Sequence, residues 1–258
     1  MTSTDDGWDS FLKIDDVKLT CYGQKIIDYK TGNTKKIELL TRVCGAESGT
    51  SIEKLFNSLT PDQHLSVIHW QYEIATCISD ILDIEVCLNI DNRIFLEPKH
   101  YRRLCRVLND NDMRLTLEFT EMHPMPEVNL VHRIFRQLRE RNVRVALDDF
   151  GTGFNGMSLF VDYDFDIVKI DRALVMNVSA GTKKAEILSL LADMISTLGK
   201  SHVVEGVETE DQARVLSSIG YWQFQGFLFH RPESIRSVLL DCHDIHEMGC
   251  THDVSCIH

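Results

Sequence analysis

Short apolar runs, each closing on a polar side chain, recur along this chain: EVCLN to Asn89, LTLEFTE to Glu118, VALDD to Asp148 and Asp149, DIVKID to Lys169, HVVEG to Glu205 and FQG to Gln225. Each run has the length of a strand buried on both faces, and patterns of helical period separate most of them. Pro61 opens one such helix through Leu65, Ile68, Tyr72, Ala75, Ile78 and Leu82, and another is expected from about Pro98 to Asn109. Val128, Val131, Ile134, Phe135 and Leu138 mark a third, and Ile187, Leu190, Leu191, Met194 and Leu198 a long fourth. Thr209 and Gln212 have capping-box spacing for a fifth, which Gly220 would end. Ahead of these units, LTCYGQKIIDYKTGNTKKIELLTRV reads as a hairpin of two β-like runs around Thr31-Gly32-Asn33, the second run carrying Glu38 and Arg42.

Strand and helix in alternation predict an α/β fold of parallel units. In a (β/α) barrel the polar residues closing the strands collect at the C-terminal rim, where loops build active sites. A barrel of about 250 residues would take up most of the 258 present, so one large domain is expected, with no internal repeat or interdomain linker. Residues 1–17 read as an acidic, weakly patterned leader, 18–237 as the barrel and 238–258 as a Cys/His-rich tail.

A net charge of -12 and the lack of a basic stripe argue against tracking a nucleic-acid polymer, and an anionic ligand would need a bound cation. No stretch approaches the roughly 18 apolar residues of a membrane span, and the opening MTSTDDGWDS lacks the regions of a signal peptide, so a cytoplasmic protein is expected. In that setting Cys21, Cys44, Cys77, Cys87 and Cys105, scattered through apolar patterns, read as buried thiols. The tail alternates Cys242, Cys250 and Cys256 with His243, His246, His252 and His258. These ligand types suit zinc or copper, but their spacing fits no finger pattern, and a flexible terminus is the simpler reading beside a metal or redox sensor.

An acid at a strand end is usually a solvated loop residue, but adjacent Asp148 and Asp149 resist that reading. Neighbouring side chains leave an extended backbone in opposite directions, so only a bend or a metal brings both inward. The glycines of DDFGTG supply such a bend. The Asp, Glu and Asn oxygens are hard ligands suited to magnesium or manganese, in number enough for two ions. Two ions about 4 Å apart clamp the attacking and leaving oxygens of a phosphodiester. Lys169 would stand among these anions to orient water or neutralise phosphate; an ion pair with Asp171 is the competing reading.

Together ELLTR, LNID, LEFTE, ALDDFGTGF, DIVKID, VVEGVET and FQGFLFHRP resemble the motif set of EAL-domain phosphodiesterases, which hydrolyse cyclic di-GMP, over roughly residues 18 to 235. The resemblance implies a modified TIM (β/α)8 barrel with an antiparallel first strand. It implies two Mg2+ or Mn2+ ions per site: Glu38, Asn89, Glu118 and Asp148 on one, with Asp148 bridging to a second held by Asp149 and Glu205. Glu205 would be the general base and Lys169 would contact the nucleophilic water. Gln24, Glu38, Leu40, Arg42, Asp171 and Gln225 would contact substrate, Arg42 as a guanidinium fork on phosphate. Glu121 and Glu208 would be supporting residues, Glu121 anchoring the loop after Asp149. A homodimer is also implied.

Four departures from the family pattern leave every implied ligand in place. Leu39 replaces the middle alanine of the signature, Lys25 a proline, and Val204 the alanine before Glu205, where a β-branched residue would crowd the barrel core. Phe154-Asn155-Gly156-Met157 replaces the usual loop and puts its ordering at issue. The alternative function is a catalytically inactive receptor for cyclic di-GMP or a protein-binding regulator; a nuclease is disfavoured by the acidic charge. Control is expected from expression, an unidentified protein partner, dimerisation or the tail.

Overall fold

In the computed structural model, which describes residues 4–5, 9–45, 52–108, 113–120, 124–151 and 156–247, eight strands close into a ring. In chain order the strands are β1 (Thr4–Asp5), β2 (Asp9–Ile14), β3 (Val17–Asp28), β4 (Thr34–Val43), β5 (Glu85–Ile90), β6 (Leu115–Phe119), β7 (Val143–Phe150), β8 (Ile167–Ile170), β9 (Ser201–Val204), β10 (Gln223–Phe224) and β11 (Glu233–Ser234). From β4 to β10 each pairs in parallel with the next. β3 closes the ring antiparallel to both β4 and β10, so the barrel's first strand is reversed as expected. The reversal follows from the hairpin: a short turn through Gly32, at φ +73, returns the chain beside β3 with no crossover.

Two additions lie at the ends. β2, inside the stretch read as leader, pairs antiparallel with β3 from Phe11 opposite Thr20 to Ile14 opposite Val17. A helix at Ile235–Glu247 packs on β3 and runs past the boundary drawn at 237, burying Val238, Leu239 and Cys242. The remaining tail, with Cys250, His252, Cys256 and His258, lies outside the described residues.

Period-two alternation sorts the barrel interior into three layers. At the N-terminal end Glu85 meets Lys36 at 3.6 Å and also binds Arg144 and Thr116. Above it Ile26, Cys87, Ala146, Ile167 and Val203 form a small apolar plug. The third layer is the polar mouth. Val204, expected to crowd the interior, instead belongs to the outer core between strands and helices, and Val203 faces inward. Leu39 likewise turns outward and is fully buried, leaving Glu38 to face the mouth.

The helices form at the predicted places. Pro61–Leu82 begins with a capping box between Thr60 and Gln63 and buries Leu65, Ile68, Ala75 and Ile78. Glu210–Ser218 begins with the predicted box between Thr209 and Gln212. Lys183–Thr197 forms as expected but turns a different face inward: Ala185, Leu188, Leu191, Ala192 and Ile195 are buried, while Ile187, Leu190 and Leu198 are exposed. The face that packs toward β9 includes two alanines, which a stripe of the largest apolar residues does not reveal. Of the five cysteines read as buried, Cys21 and Cys87 are, Cys44 and Cys105 are half-buried, and Cys77 on an outer helix face is exposed.

Candidate active site at the barrel mouth

Strand register brings the polar strand ends into one layer. Glu38 on β4, Asn89 on β5, Glu118 on β6, Asp148 on β7 and Lys169 on β8 face inward, and Glu205 follows β9 directly. Lys169 stands at the centre, 1% exposed. Its Nζ lies 2.7 Å from Glu205 Oε1, 2.8 Å from Glu118 Oε2, 2.9 Å from Asp148 Oδ1 and 3.4 Å from Glu38 Oε2. The competing pair with Asp171 does not form: Asp171 caps the turn Arg172–Val175 by accepting from the Ala173 N–H.

The bend at Asp148-Asp149 is made by Asp149 itself, at φ +55, inside a register irregularity between β7 and β8. Gly151, at φ +106, continues the turn, and a Cβ there would meet Leu174 Cδ1 at 2.3 Å. Aspartate enters the left-handed region more readily than most side chains. The turn leaves oxygens of Asp148, Asp149 and Glu205 within 4.8 Å of one another.

Neutralisation is incomplete at the mouth: four carboxylates face one ammonium group. Burial pushes Glu118 well above the ordinary carboxylate range and raises Asp148 against the pull of Lys169. Burial likewise raises Glu205 to about 8, and burial with the charge of Asp148 raises Asp149 to about 6. Glu38 goes the other way: burial works to raise it, but Lys169 and hydrogen bonds from Gln225 and Asn89 together outweigh that and lower it. A buried ring of hard oxygen donors in excess of its one internal cation is the donor chemistry of a magnesium or manganese site.

Two cavities flank this ring. One, of about 300 Å³, is lined by Gln24, Glu38, Asp148, Asp149, Glu205 and Gln225 among others. At its edge Arg172 pairs with Glu208 at 3.0 Å, and Phe227, 47% exposed, carries the Arg231 guanidinium 4.1 Å from its ring centre. Sequence reading missed Phe227 and Arg172, although both adjoin named residues within FQGF and KIDR. The other cavity, of about 220 Å³, is mostly apolar and holds Leu40, Arg42 and Asn89 with Ile52 and Phe56. Arg42 and Leu40 thus border a different cavity from Gln24 and Gln225, farther along β4 than Glu38. Glu121 and His123 lie outside the described residues, as do Phe154 and Asn155 of the divergent loop, whose Gly156 and Met157 open the helix Gly156–Asp162.

Histidines fall elsewhere. His202 meets the rings of Tyr221 and Trp222 edge-on and accepts from the Trp222 N–H at 3.2 Å. His230 forms a second cluster with Glu233 and Asp241, but there Lys25 Nζ stands 3.6 Å from Asp241 and supplies the positive charge.

The family model described as EAL domain matches residues 13–232. The cyclic di-GMP phosphodiesterase PdeL of Escherichia coli (strain K12) is 28% identical over 221 residues, covering 81% of this chain and 61% of that protein. The cyclic di-GMP phosphodiesterase TpdA of Vibrio parahaemolyticus serotype O3:K6 (strain RIMD 2210633) is 31% identical over 205 residues, covering 78% of this chain and 35% of that one. This chain therefore spans less than two thirds of the length of these relatives. Among solved structures, the PaMucR phosphodiesterase in its c-di-GMP complex superposes with a TM-score of 0.73 at 24% identity, covering 85% of this chain and 99% of that one. With 220 consecutive residues matched, a reversed first strand and the acidic mouth in place, this chain belongs to the EAL domain family.

Proposed function

We propose that this chain is a phosphodiesterase that hydrolyses cyclic di-GMP to linear pGpG with two divalent ions, Mg2+ or Mn2+, at the barrel mouth. The observation that carries the reading is the complete donor set: Glu38, Asn89, Glu118, Asp148, Asp149 and Glu205 all stand at the rim, against a single internal ammonium. The ions, when bound, supply Lewis-acid polarisation of the phosphate and a more acidic water. The protein's own groups do the rest. Glu205 borders the 300 Å³ cavity and takes the proton of the attacking water. Attack at phosphorus forms a P–O bond to the water oxygen and breaks one ring P–O bond; the ribose oxygen released takes a proton from solvent, and the dinucleotide opens. Lys169 offsets charge that develops on the phosphoryl oxygens. Arg42 and Leu40, in the second cavity, hold the half of the substrate remote from the reacting phosphate, so the dinucleotide straddles Glu38. Asp171 and Glu208 brace the rim through the Ala173 N–H and Arg172.

A homodimer and a cytoplasmic setting belong to the proposal. Ile187, Leu190 and Leu198, with Met157 and Val161 on the preceding βα unit, expose apolar area suited to a second copy. No helix of the described residues is long and apolar enough to cross a membrane.

The test is cleavage of cyclic di-GMP by purified protein with Mg2+ or Mn2+, with pGpG followed by chromatography and Glu38→Ala run beside it. Turnover that disappears in Glu38→Ala supports the reading. An inert protein that still binds the dinucleotide is a receptor, and one that neither cuts nor binds sinks the proposal.

A further inference from the structure

A chain of hydrogen bonds runs inward from the barrel seam to Glu38, and its direction is fixed at the outer end. Gln24 Nε2 donates to the backbone carbonyl of His230 at 3.0 Å. A carbonyl only accepts, so the Gln24 amide must turn its NH2 outward and its Oε1 toward Gln225. Gln225 Nε2 donates to that Oε1 at 3.0 Å and to Glu38 Oε2 at 2.7 Å. With acceptors on both sides, the Gln225 amide has one stable orientation; a flip would set its own carbonyl oxygen against Glu38 and Gln24 together. The other oxygen of Glu38 accepts from Asn89 Nδ2 at 3.0 Å.

The backbone around Gln225 is equally constrained. Its N–H donates to Val204 O and its carbonyl accepts from Val207 N–H. Gly226 follows so tightly that a Cβ would lie 2.1 Å from Val207 O. Only two residue pairs join β3 to β10, Gln223 with Asp28 and Phe224 with Ile27, and the Gln24–Gln225 amide contact extends this seam toward the mouth, beside the pairing of β11 with β3 and the Lys25 N–H on His230 Nδ1. Gln24 and Gln225 are 8% and 5% exposed, which keeps water from replacing these bonds.

We propose that Gln24 is a positioning residue for metal binding: acting through Gln225, it sets the direction of the hydrogen bond that orients Glu38 as a ligand. The inference rests on the phosphodiesterase reading and assigns Gln24 a role distinct from touching substrate. Partners that orient a ligand typically change metal affinity by about 10- to 100-fold when removed.

The experiment is Mn2+ binding by the full chain, followed through the paramagnetic resonance signal of free Mn2+, for wild type, Gln24→Met, Gln225→Met and the double variant. Each single variant is expected to weaken Mn2+ binding by about 10- to 100-fold, and the double variant by no more than Gln225→Met alone, because one path carries both effects. Additive losses, or an unchanged Mn2+ affinity in Gln24→Met, overturn the relay. Gln24→Glu keeps an acceptor toward Gln225 and is expected to retain or tighten Mn2+ binding; a loss as deep as that of Gln24→Met also overturns it, and this arm stands if the Met variant folds poorly. Weakened cyclic di-GMP binding with intact Mn2+ binding would make Gln24 a substrate contact instead. Wild-type protein that binds no Mn2+ refutes the two-metal reading itself, an outcome distinct from failure of the relay.

Discussion

Replacing Lys169 with methionine keeps the stem of the side chain and removes the one ammonium that four carboxylates share, three of them buried and Glu205 half-buried. Removing one partner from a buried ion pair costs about 3–5 kcal/mol, because the charge left behind is uncompensated. In a chain of this size each kcal/mol moves the melting temperature by about 2–4 °C, so metal-free Lys169→Met should melt roughly 6–20 °C below wild type at pH 8. The deficit should shrink in acid. Burial already raises Glu118, Asp148 and Glu205, the last to about 8, while Lys169 restrains them. Without it they rise further, so folded Lys169→Met holds protons that its unfolded chain, titrating near about 4, has released. Stability relative to wild type therefore increases as pH falls from 8 toward 5. Millimolar Mg2+ at pH 8 should narrow the gap too, by supplying the missing positive charge. Calorimetry on EDTA-treated protein at pH 8 and pH 5.5, with and without Mg2+, reads all of this. A gap that is the same under every condition would mean that Lys169 acts by packing alone and that the carboxylates do not compete for cations.

Three further outcomes follow from the same geometry. Mn2+ binding at pH 7 should release protons, since Glu205 is held up to about 8 and Glu118 higher than usual, and affinity should climb between pH 6 and 8; binding heats that do not vary with the buffer's ionisation enthalpy would contradict this. Gly226→Ala should destabilise the protein by about 3 kcal/mol, the upper range for overpacking, because the added Cβ meets Val207 backbone atoms at 2.1 and 2.4 Å; a melt within a degree of wild type would show that the seam yields. Leu190→Glu, at a side chain 70% exposed, should leave the fold's melting point nearly unchanged and convert a dimer to monomers in light scattering; a mass unaffected by the substitution would place any dimer contact elsewhere.

The acidic mouth was legible because alternation is a strict rule: once a run is a barrel strand, the polar residue closing it either faces the interior or does not. Glu38, Asn89, Glu118, Lys169 and Glu205 satisfied that rule and met. Asp149 did not obey it, and the expected remedy, a glycine bend, was only part of the answer, since the left-handed turn falls on Asp149 itself. The helix Lys183–Thr197 shows the opposite limit. Two apolar stripes share it, and the one that turns inward includes Ala185 and Ala192, a choice made by tertiary packing with no local signature. β2 escaped notice for a related reason: it lies outside the barrel ring between β3 and the two-residue β1, where a strand needs little hydrophobic content, and DSFLKI has only three apolar residues.

The direction of an amide is more remote from sequence still. Glutamines at 24 and 225 read equally well as substrate contacts or as braces, and nothing in their spacing of 201 positions distinguishes the two. The distinction comes from His230, whose backbone carbonyl does the orienting. A residue at that position contributes to the relay through its main chain whatever its identity, so His230→Ala should leave Mn2+ binding intact while Gln24→Met does not. Loss of Mn2+ binding in His230→Ala would instead tie the mouth to the cluster of His230, Glu233 and Asp241, and the chain of amides would no longer account for the orientation of Glu38.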